Sequence, residues 1–502
     1  MDNRQNHDRR PNILLIMCDQ LCASALEVYG GTADTPNIGK LAANGVLFES
    51  AYCQTPVCSP SRASIITGRY PHRHGLVSNV MRVDYPMVGG PETEEGIDSR
   101  DITTEGLLHA GGYQTSHKGK WHISGEKLGC YESMYTENYE YADEMREIFE
   151  RSAKLPRENY MEWYGWKIPV VRNQDYSESL ANIPERWMSN QSKELFTKFG
   201  RLDLSPEDTF DYRIASKCAD AILTAKEPFM LTCSFNMPHD PNVAPSPYYK
   251  NVDMSHIKAD ASLYCDAAYL GDLSKDIPAH AGDAFLTEFL RVYHAGLKLV
   301  DDQIGRLFEA LEQRGITGST VVIFTADHGD MAGGHGMFWK STRAFYEEVA
   351  RVPLIISAPG HNKNARYSKP VESVDIMPTI LGLCGVKTPE NTDGANLAPA
   401  LSGGESGKNT ALCERLGFGP GNIRYRHTND RNYNFMLRAG KFKYIIHHTD
   451  NSGNPEDARL LFDLENDPKE YENLCNRPGF EAKTAEMHSL LQKRLSESGY
   501  EL

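Results

Sequence analysis

The chain contains no apolar run near the ~18 consecutive residues that a membrane-spanning helix requires, and so offers no transmembrane segment. It has no surplus of basic charge. Lys and Arg number 53 against 68 Asp and Glu, a net charge of −15, which argues against bulk nucleic-acid binding. No two cysteines stand in Cys-x-x-Cys spacing, so the usual zinc-ribbon pattern is missing. Several cysteines lie inside apolar runs and read as reduced core thiols. Internal repeats and low-complexity tracts are lacking. Met1 to Pro11 is polar and charged, and a strand follows at once. That reads as no signal peptide and gives a cytoplasmic expectation, although a chain trimmed of an export signal looks the same. An acidic protein can still take an anionic substrate, but the attracting field must then be local, and a metal ion is one way to supply it.

What is present is an alternation of buried strands and helices. Asn12 to Cys18 is a continuous apolar run, as in a strand buried on both faces, and it ends in Asp19-Gln20. Phe229 to Phe235, Thr320 to Thr325 and Val352 to Ser357 repeat the pattern, with helices expected at Thr103 to Ala110, Pro206 to Ala225, Ala284 to Arg314 and from Asp375. This predicts an α/β fold with a large, mainly parallel (mixed) central sheet and helices on both faces. The texture changes near Leu401. Short strands at Phe435, Phe442 and Leu460 and an amphipathic helix through Met487, Leu491 and Leu495 predict a smaller C-terminal α+β domain with an antiparallel sheet. The expected division is 1–400 and 401–502. Residues 130–190 lack periodicity and are crowded with aromatics, from Tyr131 to Trp187. They read either as an insertion over the active site, with ring faces suited to sugars, or as a satellite core under long loops.

Two features carry chemistry on their own. The stretch Cys58-Ser59-Pro60-Ser61-Arg62 reads as a turn into a helix, with Ser61 as N-cap, Ala63, Ile65 and Ile66 on the buried side and Gly68 as the stop. A cysteine at a helix N-terminus beside a fixed guanidinium is a nucleophile in an anion site. Asp19-Gln20 and Asp327-His328 each follow an apolar strand, where ligands bind in open α/β sheets. Together they predict a divalent-metal site. Oxygen donors suit Ca2+ or Mg2+, and the histidine leaves manganese or zinc open.

Cys-x-Pro-Ser-Arg followed by Thr67-Gly68 resembles the signature of the formylglycine-dependent sulfatases of the alkaline phosphatase superfamily. Gly119-Lys120-Trp121-His122, Pro238-His239-Asp240-Pro241 and the glycine-rich Gly334 to Lys340 resemble further motifs of that family, and the likeness spans nearly the whole chain. The resemblance implies that a maturation enzyme oxidises Cys58 to formylglycine, whose hydrate attacks sulfur. It implies Asp19, Gln20, Asp327 and His328 as metal ligands, most simply for Ca2+, with Mg2+ or Mn2+ as alternatives. Arg62, Lys120 and Lys340 would hold sulfate oxygens, His239 would protonate the leaving alcohol, and His122 would deprotonate the second hydroxyl of the hydrate. Arg73, His74 and His335 are candidates for substrate contact, His335 alternatively positioning the glycine-rich loop. Gln20 departs from the family's usual acidic pair. Asp-Gln with Asp-His also resembles the phosphonate monoester hydrolase branch. The expected activity is hydrolysis of a small sulfated carbohydrate, with a glycosaminoglycan fragment as one candidate. A phosphonate or phosphate ester hydrolase, or a silent sulfated-glycan-binding protein, are the alternatives.

Overall fold

The computed structural model describes residues 10–80, 96–97, 99–123, 128–135, 147, 160–163, 166–171, 199–257, 276–340, 345–416, 433–451 and 454–502. Its strands, in chain order, are β1 (Asn12–Asp19), β2 (Val46–Tyr52), β3 (Gln114–Gly119), β4 (Ser133–Tyr135), β5 (Tyr160–Trp163), β6 (Trp166–Val171), β7 (Phe199–Leu202), β8 (Phe229–Pro238) and β9 (Asn242–Pro245). After a long helix come β10 (Thr320–Ala326), β11 (Arg351–Ser357), β12 (Ala365–Tyr367), β13 (Val371–Glu372), β14 (Thr410–Leu416), β15 (Tyr433–Ala439), β16 (Phe442–Asn451) and β17 (Asn454–Asp463).

All eight residues of β1 are buried, which is what its unbroken apolar sequence demands. It lies inside a nine-stranded sheet of order β12-β2-β11-β10-β1-β8-β3-β4, with β13 paired to β2. The pairs β10–β1, β1–β8, β8–β3 and β3–β4 are parallel, whereas β11 runs antiparallel to both β10 and β2. The sheet is therefore mixed, and helices pack against it. Helix Phe210–Thr224 packs on β8 and against the long helix Asp276–Gln313. The expected helix from Pro206 is broken instead. A 3-10 turn, Pro206–Asp208, ends at Thr209, whose extended backbone starts the helix proper and whose hydroxyl donates to the Pro206 carbonyl at 2.6 Å.

The Cys58 helix spans Cys58–Thr67, and all ten residues are buried. It therefore has no exposed side for Ala63, Ile65 and Ile66 to oppose. Ser61 lies within the first turn and is not the N-cap; its hydroxyl donates to the Asp327 carbonyl at 2.5 Å. Gly68 does end the helix, at φ 64°, with its N–H on the Ser64 carbonyl at 2.9 Å.

The second sheet, β14-β15-β16-β17, is antiparallel throughout and is covered by helix Glu481–Glu497 through Met487, Leu491 and Leu495. Strand β14 was not foreseen. Its Glu414 and Arg415 look like surface residues, yet both are buried: Glu414 accepts from the His72 N–H at 2.7 Å and Arg415 donates to the Val77 carbonyl at 2.6 Å. A third sheet, β5-β6-β7-β9, takes two strands from the aromatic-rich stretch. Of that stretch's rings, Tyr131 packs edge-on against Trp121 and His117, at 5.5 and 6.0 Å, as a core residue does. Tyr139, Tyr141, Tyr164, Tyr176 and Trp187 lie outside the described residues.

Buried charge joins the two main sheets. Lys443 of β16 is fully buried, with its ammonium 3.1 Å from Glu347 and 2.8 Å from Glu470. Glu347 also accepts from Tyr52 of β2 at 3.1 Å and pairs with Arg351 of β11. Removing one member of such a cluster strands the others without compensation. Lys443→Met is therefore expected to lower unfolding free energy by about 3–5 kcal/mol, read from urea unfolding, and an unchanged midpoint would contradict this view of the junction.

Candidate active site

Strand register explains why residues about 300 positions apart meet. Cys18 of β1 stands opposite Ala326 of β10, so the next residue on each strand, Asp19 and Asp327, emerge side by side. On the other flank, Asp19 aligns with Pro238 of β8, which places His239 one step beyond the strand end. Gly119 of β3 aligns with Ser234 of β8, and Lys120 follows. A Cβ on Gly119, at φ +103°, would lie 1.8 Å from the Ser234 carbonyl oxygen, so this close approach admits only glycine.

Arg62 sits between the two acids and is 1% exposed. Its Nε donates to Asp327 Oδ2 (2.8 Å) and its Nη2 to Asp19 Oδ2 (3.0 Å), while Nη1 reaches Ser234 Oγ (2.8 Å) and the Lys120 carbonyl (3.0 Å). Lys120 forms a further ion pair with Asp19 Oδ2. Both Oδ2 atoms are thus taken by cations. The remaining Oδ1 atoms face His328 Nε2, at 3.9 Å for Asp19 and 3.8 Å for Asp327. His328 Nδ1 lies 2.9 Å from the Gly329 carbonyl, which only a protonated nitrogen can bond, so Nε2 of the neutral ring carries the lone pair.

One ligand atom each from Asp19, Cys58, Asp327 and His328 lie within 4.8 Å of one another, and all four residues are buried. Atoms this close can share an ion whose bonds are roughly 2.3–2.6 Å for calcium or shorter for magnesium. Gln20 adds a buried amide oxygen, Oε1, that has no hydrogen-bond partner among the described residues. Two carboxylates, an imidazole and a spare amide oxygen make a donor set that fits a hard or borderline divalent cation.

Cys58 Sγ completes the cluster. It lies 2.9 Å from Lys340 Nζ, 3.2 Å from His328 Nε2, 3.8 Å from Asp19 Oδ1 and 3.9 Å from Lys120 Nζ. Burial alone would push the thiol's pKa up. The charges of Lys120, Lys340 and His328, with a further contribution from the His122 side chain, outweigh burial and hold it well below the ordinary value. Burial likewise disfavours the charged form of Asp19, as does the Cys58 thiolate, yet Lys120, His239 and Arg62 bring its pKa down. Burial would lower the His328 pKa, but Asp327 and the Cys58 sulfur raise it to about 9. Each group is tuned by charges within a few ångströms, as at sites that do chemistry.

The two other histidines are oriented by backbone carbonyls. His122, at φ 52°, has Nε2 3.1 Å from the Val80 carbonyl, and its Nδ1 has no hydrogen-bond partner among the described residues. His239 has Nδ1 2.6 Å from the Asp240 carbonyl and Nε2 3.0 Å from Lys340 Nζ. Lys340 therefore bridges Cys58 and His239.

Three candidates for substrate contact have protein partners in the structure. His74 is buried with Nε2 at 3.0 Å from Ser64 Oγ and Nδ1 accepting from the Leu76 N–H at 3.1 Å, so both ring nitrogens serve the turn after the Cys58 helix. Arg73 pairs with Asp393 at 3.0 Å. His335 stacks on Tyr346 with centroids 3.7 Å apart and meets Tyr471 edge-on, which makes it a loop prop. Conversely, sequence reasoning passed over Asp211, whose Oδ1 accepts from the Asn236 and Met237 N–H groups at 2.7 and 3.3 Å and so fixes the end of β8 before His239. It also passed over Asp330, the acid directly after Asp327-His328-Gly329, whose position in that run was the available signal.

Comparison with known proteins agrees with this geometry. Residues 11–386 match the family model described as Sulfatase, and residues 333–497 match the model of the N-sulphoglucosamine sulphohydrolase C-terminal region. The N-acetylglucosamine-6-O-sulfatase of Bacteroides thetaiotaomicron is 27% identical, over 98% of this chain and 87% of the relative. Among solved structures, the phosphonate monoester hydrolase of Agrobacterium radiobacter superposes with TM-score 0.75 at 22% identity, covering 97% of this chain and 96% of that one. A structure in complex with its substrate D-glucosamine-2-N,6-O-disulfate gives 0.70 at 21% identity, covering 98% of each chain. The first match takes in every strand end that feeds the Cys58 cluster, and on that ground the chain belongs to the sulfatase family, the formylglycine-dependent sulfuric ester hydrolases of the alkaline phosphatase superfamily.

Proposed function

We propose that the protein hydrolyses sulfate esters of a small carbohydrate, with formylglycine derived from Cys58 as the nucleophilic residue and a divalent cation beside it. The observation that carries this reading is the convergence on Cys58 Sγ of Lys340 at 2.9 Å, His328 at 3.2 Å, Asp19 at 3.8 Å and Lys120 at 3.9 Å. In the mature enzyme the oxygens of the hydrated aldehyde take the place of that sulfur. Asp19, Gln20, Asp327 and His328 would hold the cation, which would supply fixed positive charge against developing negative charge.

Lys120 and Lys340 flank the nucleophile and add charge that needs no reorganisation during reaction. Arg62 has a different task from the sulfate clamp that the motif implied. Its guanidinium braces the two carboxylates, and sulfate binding falls to the lysines. His122, whose Nε2 is held by the Val80 carbonyl, keeps an Nδ1 lone pair that can accept a proton from the second hydroxyl. His239 Nε2 lies beyond Lys340, on the leaving-group side, and a proton held there passes to the departing oxygen. A carbohydrate substrate is supported by the named sulfatase relative and by the aromatic-rich stretch at 130–190. The neutral Gln20, where the family commonly has a second acid, is the observation that favours a phosphonate or phosphate ester as the second reading.

Wild-type protein carrying formylglycine should show higher kcat/KM on at least one member of a panel of sulfated mono- and disaccharides than on matched phosphonate monoesters; the reverse order would select the second reading. Within that assay, His239→Ala should lose about 10²–10⁴-fold on sugar sulfates but much less on an activated aryl sulfate, whose phenolate leaves unaided. Equal loss on both, with chemistry rate-limiting, would show that His239 is not the acid. Arg62→Leu should destabilise the fold by about 3–5 kcal/mol, because it leaves two buried carboxylates without their shared cation; a variant that folds with wild-type stability and only a raised KM would restore Arg62 to the sulfate.

A further inference from the structure

We infer that Asp330 is a positioning residue that aims the Gln20 amide oxygen at the cation site while holding the loop that carries Lys340. The inference rests on the reading that Asp19, Asp327 and His328 hold a divalent cation.

Gln20 is a neutral ligand candidate with an ambiguity that a carboxylate lacks. Its amide fits the same space either way round, but only the oxygen can bind a cation. The backbone around it is pinned. Gln20 sits at φ +62°, a region that costs a non-glycine residue roughly 1–2 kcal/mol. Its N–H donates to Asp327 Oδ1 at 3.0 Å, and its carbonyl accepts from the Tyr293 hydroxyl at 3.1 Å. With the backbone fixed on both sides, the side chain's orientation depends on what faces its head group.

Asp330 faces it. Both residues are fully buried. Asp330 Oδ1 accepts from the Ala332 N–H at 2.7 Å and the Trp339 N–H at 3.0 Å, and Oδ2 lies 2.6 Å from the Gln20 amide. Backbone N–H groups can only donate and a carboxylate oxygen can only accept, so the Gln20 atom at 2.6 Å must be the NH2. Oε1 is thereby turned away from Asp330. It is buried and has no protein partner among the described residues, a condition that costs about 1–3 kcal/mol unless something else binds it. A cation between Asp19 and Asp327 meets that need.

The same carboxylate ties the metal side to the nucleophile side. Ala332 and Trp339 bracket the glycine-rich loop, which closes on itself through Met331 N–H to Trp339 carbonyl and Gly333 N–H to Met337 carbonyl, both 2.9 Å. Lys340 is the next residue after Trp339, and it reaches Cys58 and His239. One buried acid thus sets both the ligand atom of Gln20 and the anchor of Lys340.

The test exchanges the two head groups. In Asp330→Asn the amide oxygen must stay on the two N–H groups, so its NH2 confronts the NH2 of Gln20. Gln20 then flips and presents nitrogen to the cation. In the double variant Gln20→Glu with Asp330→Asn, the new carboxylate accepts from the Asn NH2 with one oxygen and keeps the other for the cation, at unchanged net charge. Ca2+ and Mn2+ affinities are measured by calorimetry on chelator-treated protein. Asp330→Asn is expected to weaken binding about 10–100-fold, Gln20→Met to weaken it similarly, and the double variant to return to within a few-fold of wild type. Wild-type affinity in Asp330→Asn or in Gln20→Met, or a double variant as weak as Asp330→Asn, would overturn the inference. Loss of binding in Asp19→Asn alongside an unchanged Asp330→Asn would leave the metal site standing and remove only the role of Asp330. A wild-type protein that binds neither ion removes both.

Discussion

Two fully buried carboxylates, Asp19 and Asp327, point into one small volume, and everything else at this site answers that repulsion. Unpaired, they could not both stay ionised, because burial and mutual repulsion each favour the proton. Arg62 lies between them and bonds one oxygen of each, and Lys120 adds a second charge on Asp19. The arrangement divides the four carboxylate oxygens by function. The Oδ2 pair is neutralised by cationic side chains, whereas Asp327 Oδ1 accepts backbone N–H groups, from Gln20 and His328, and Asp19 Oδ1 faces the Cys58 sulfur, so the Oδ1 side keeps its negative charge for a cation. An arginine suits this brace better than a lysine, since its planar fork can bond both acids and the neighbouring Ser234 at once.

The precision of the site comes from the parallel sheet. Neighbouring strands end at the same edge because their register is fixed by the buried side chains along them. Asp19, Gln20, Lys120, His122, His239, Asp327 and His328 leave the sheet at β1, β3, β8 and β10, four strands consecutive in space, whereas Cys58 and Arg62 come from the helix after β2 and Lys340 from the glycine-rich loop. Short-range devices then refine the direction of each side chain: glycine where backbones touch, at Gly119, and also at Gly329, where a Cβ would lie 2.0 Å from the Glu348 carbonyl oxygen. Carbonyls set the tautomers of His122, His239 and His328, and Asp211 anchors the strand end before His239.

Much of this was legible in the sequence, and for a physical reason. Strands buried on both faces have no polar residues to disguise them, so β1, β8, β10 and β11 stand out, and their ends locate Asp19, His239 and Asp327. The motif around Cys58 was legible as an anion site, but not as a wholly buried helix, because its serines and Arg62 look solvent-facing until their partners on other strands are known. The same holds for β14, where Glu414 and Arg415 hide a buried strand. Arg73, His74 and His335 follow motif residues in sequence, but adjacency in sequence does not show which protein groups a side chain meets, and for His335 the stacking on Tyr346 fits the loop-positioning alternative. Their partners in the structure are Asp393, Ser64 and Tyr346. Asp330 was missed because its place directly after Asp327-His328-Gly329 marks it as near the site without saying what it does; its three donors show that.

The central claim is that residue 58 acts as an aldehyde hydrate and not as a thiol. The most direct measurement is the mass of the peptide spanning Cys58, taken from protein made with and without the maturation enzyme, alongside sulfate release by the same samples. The account predicts that exchange of the thiol for an aldehyde appears only with the maturation enzyme, and that sulfate release rises in proportion to the converted fraction. Full sulfate release from protein whose residue 58 is entirely unmodified cysteine would contradict it.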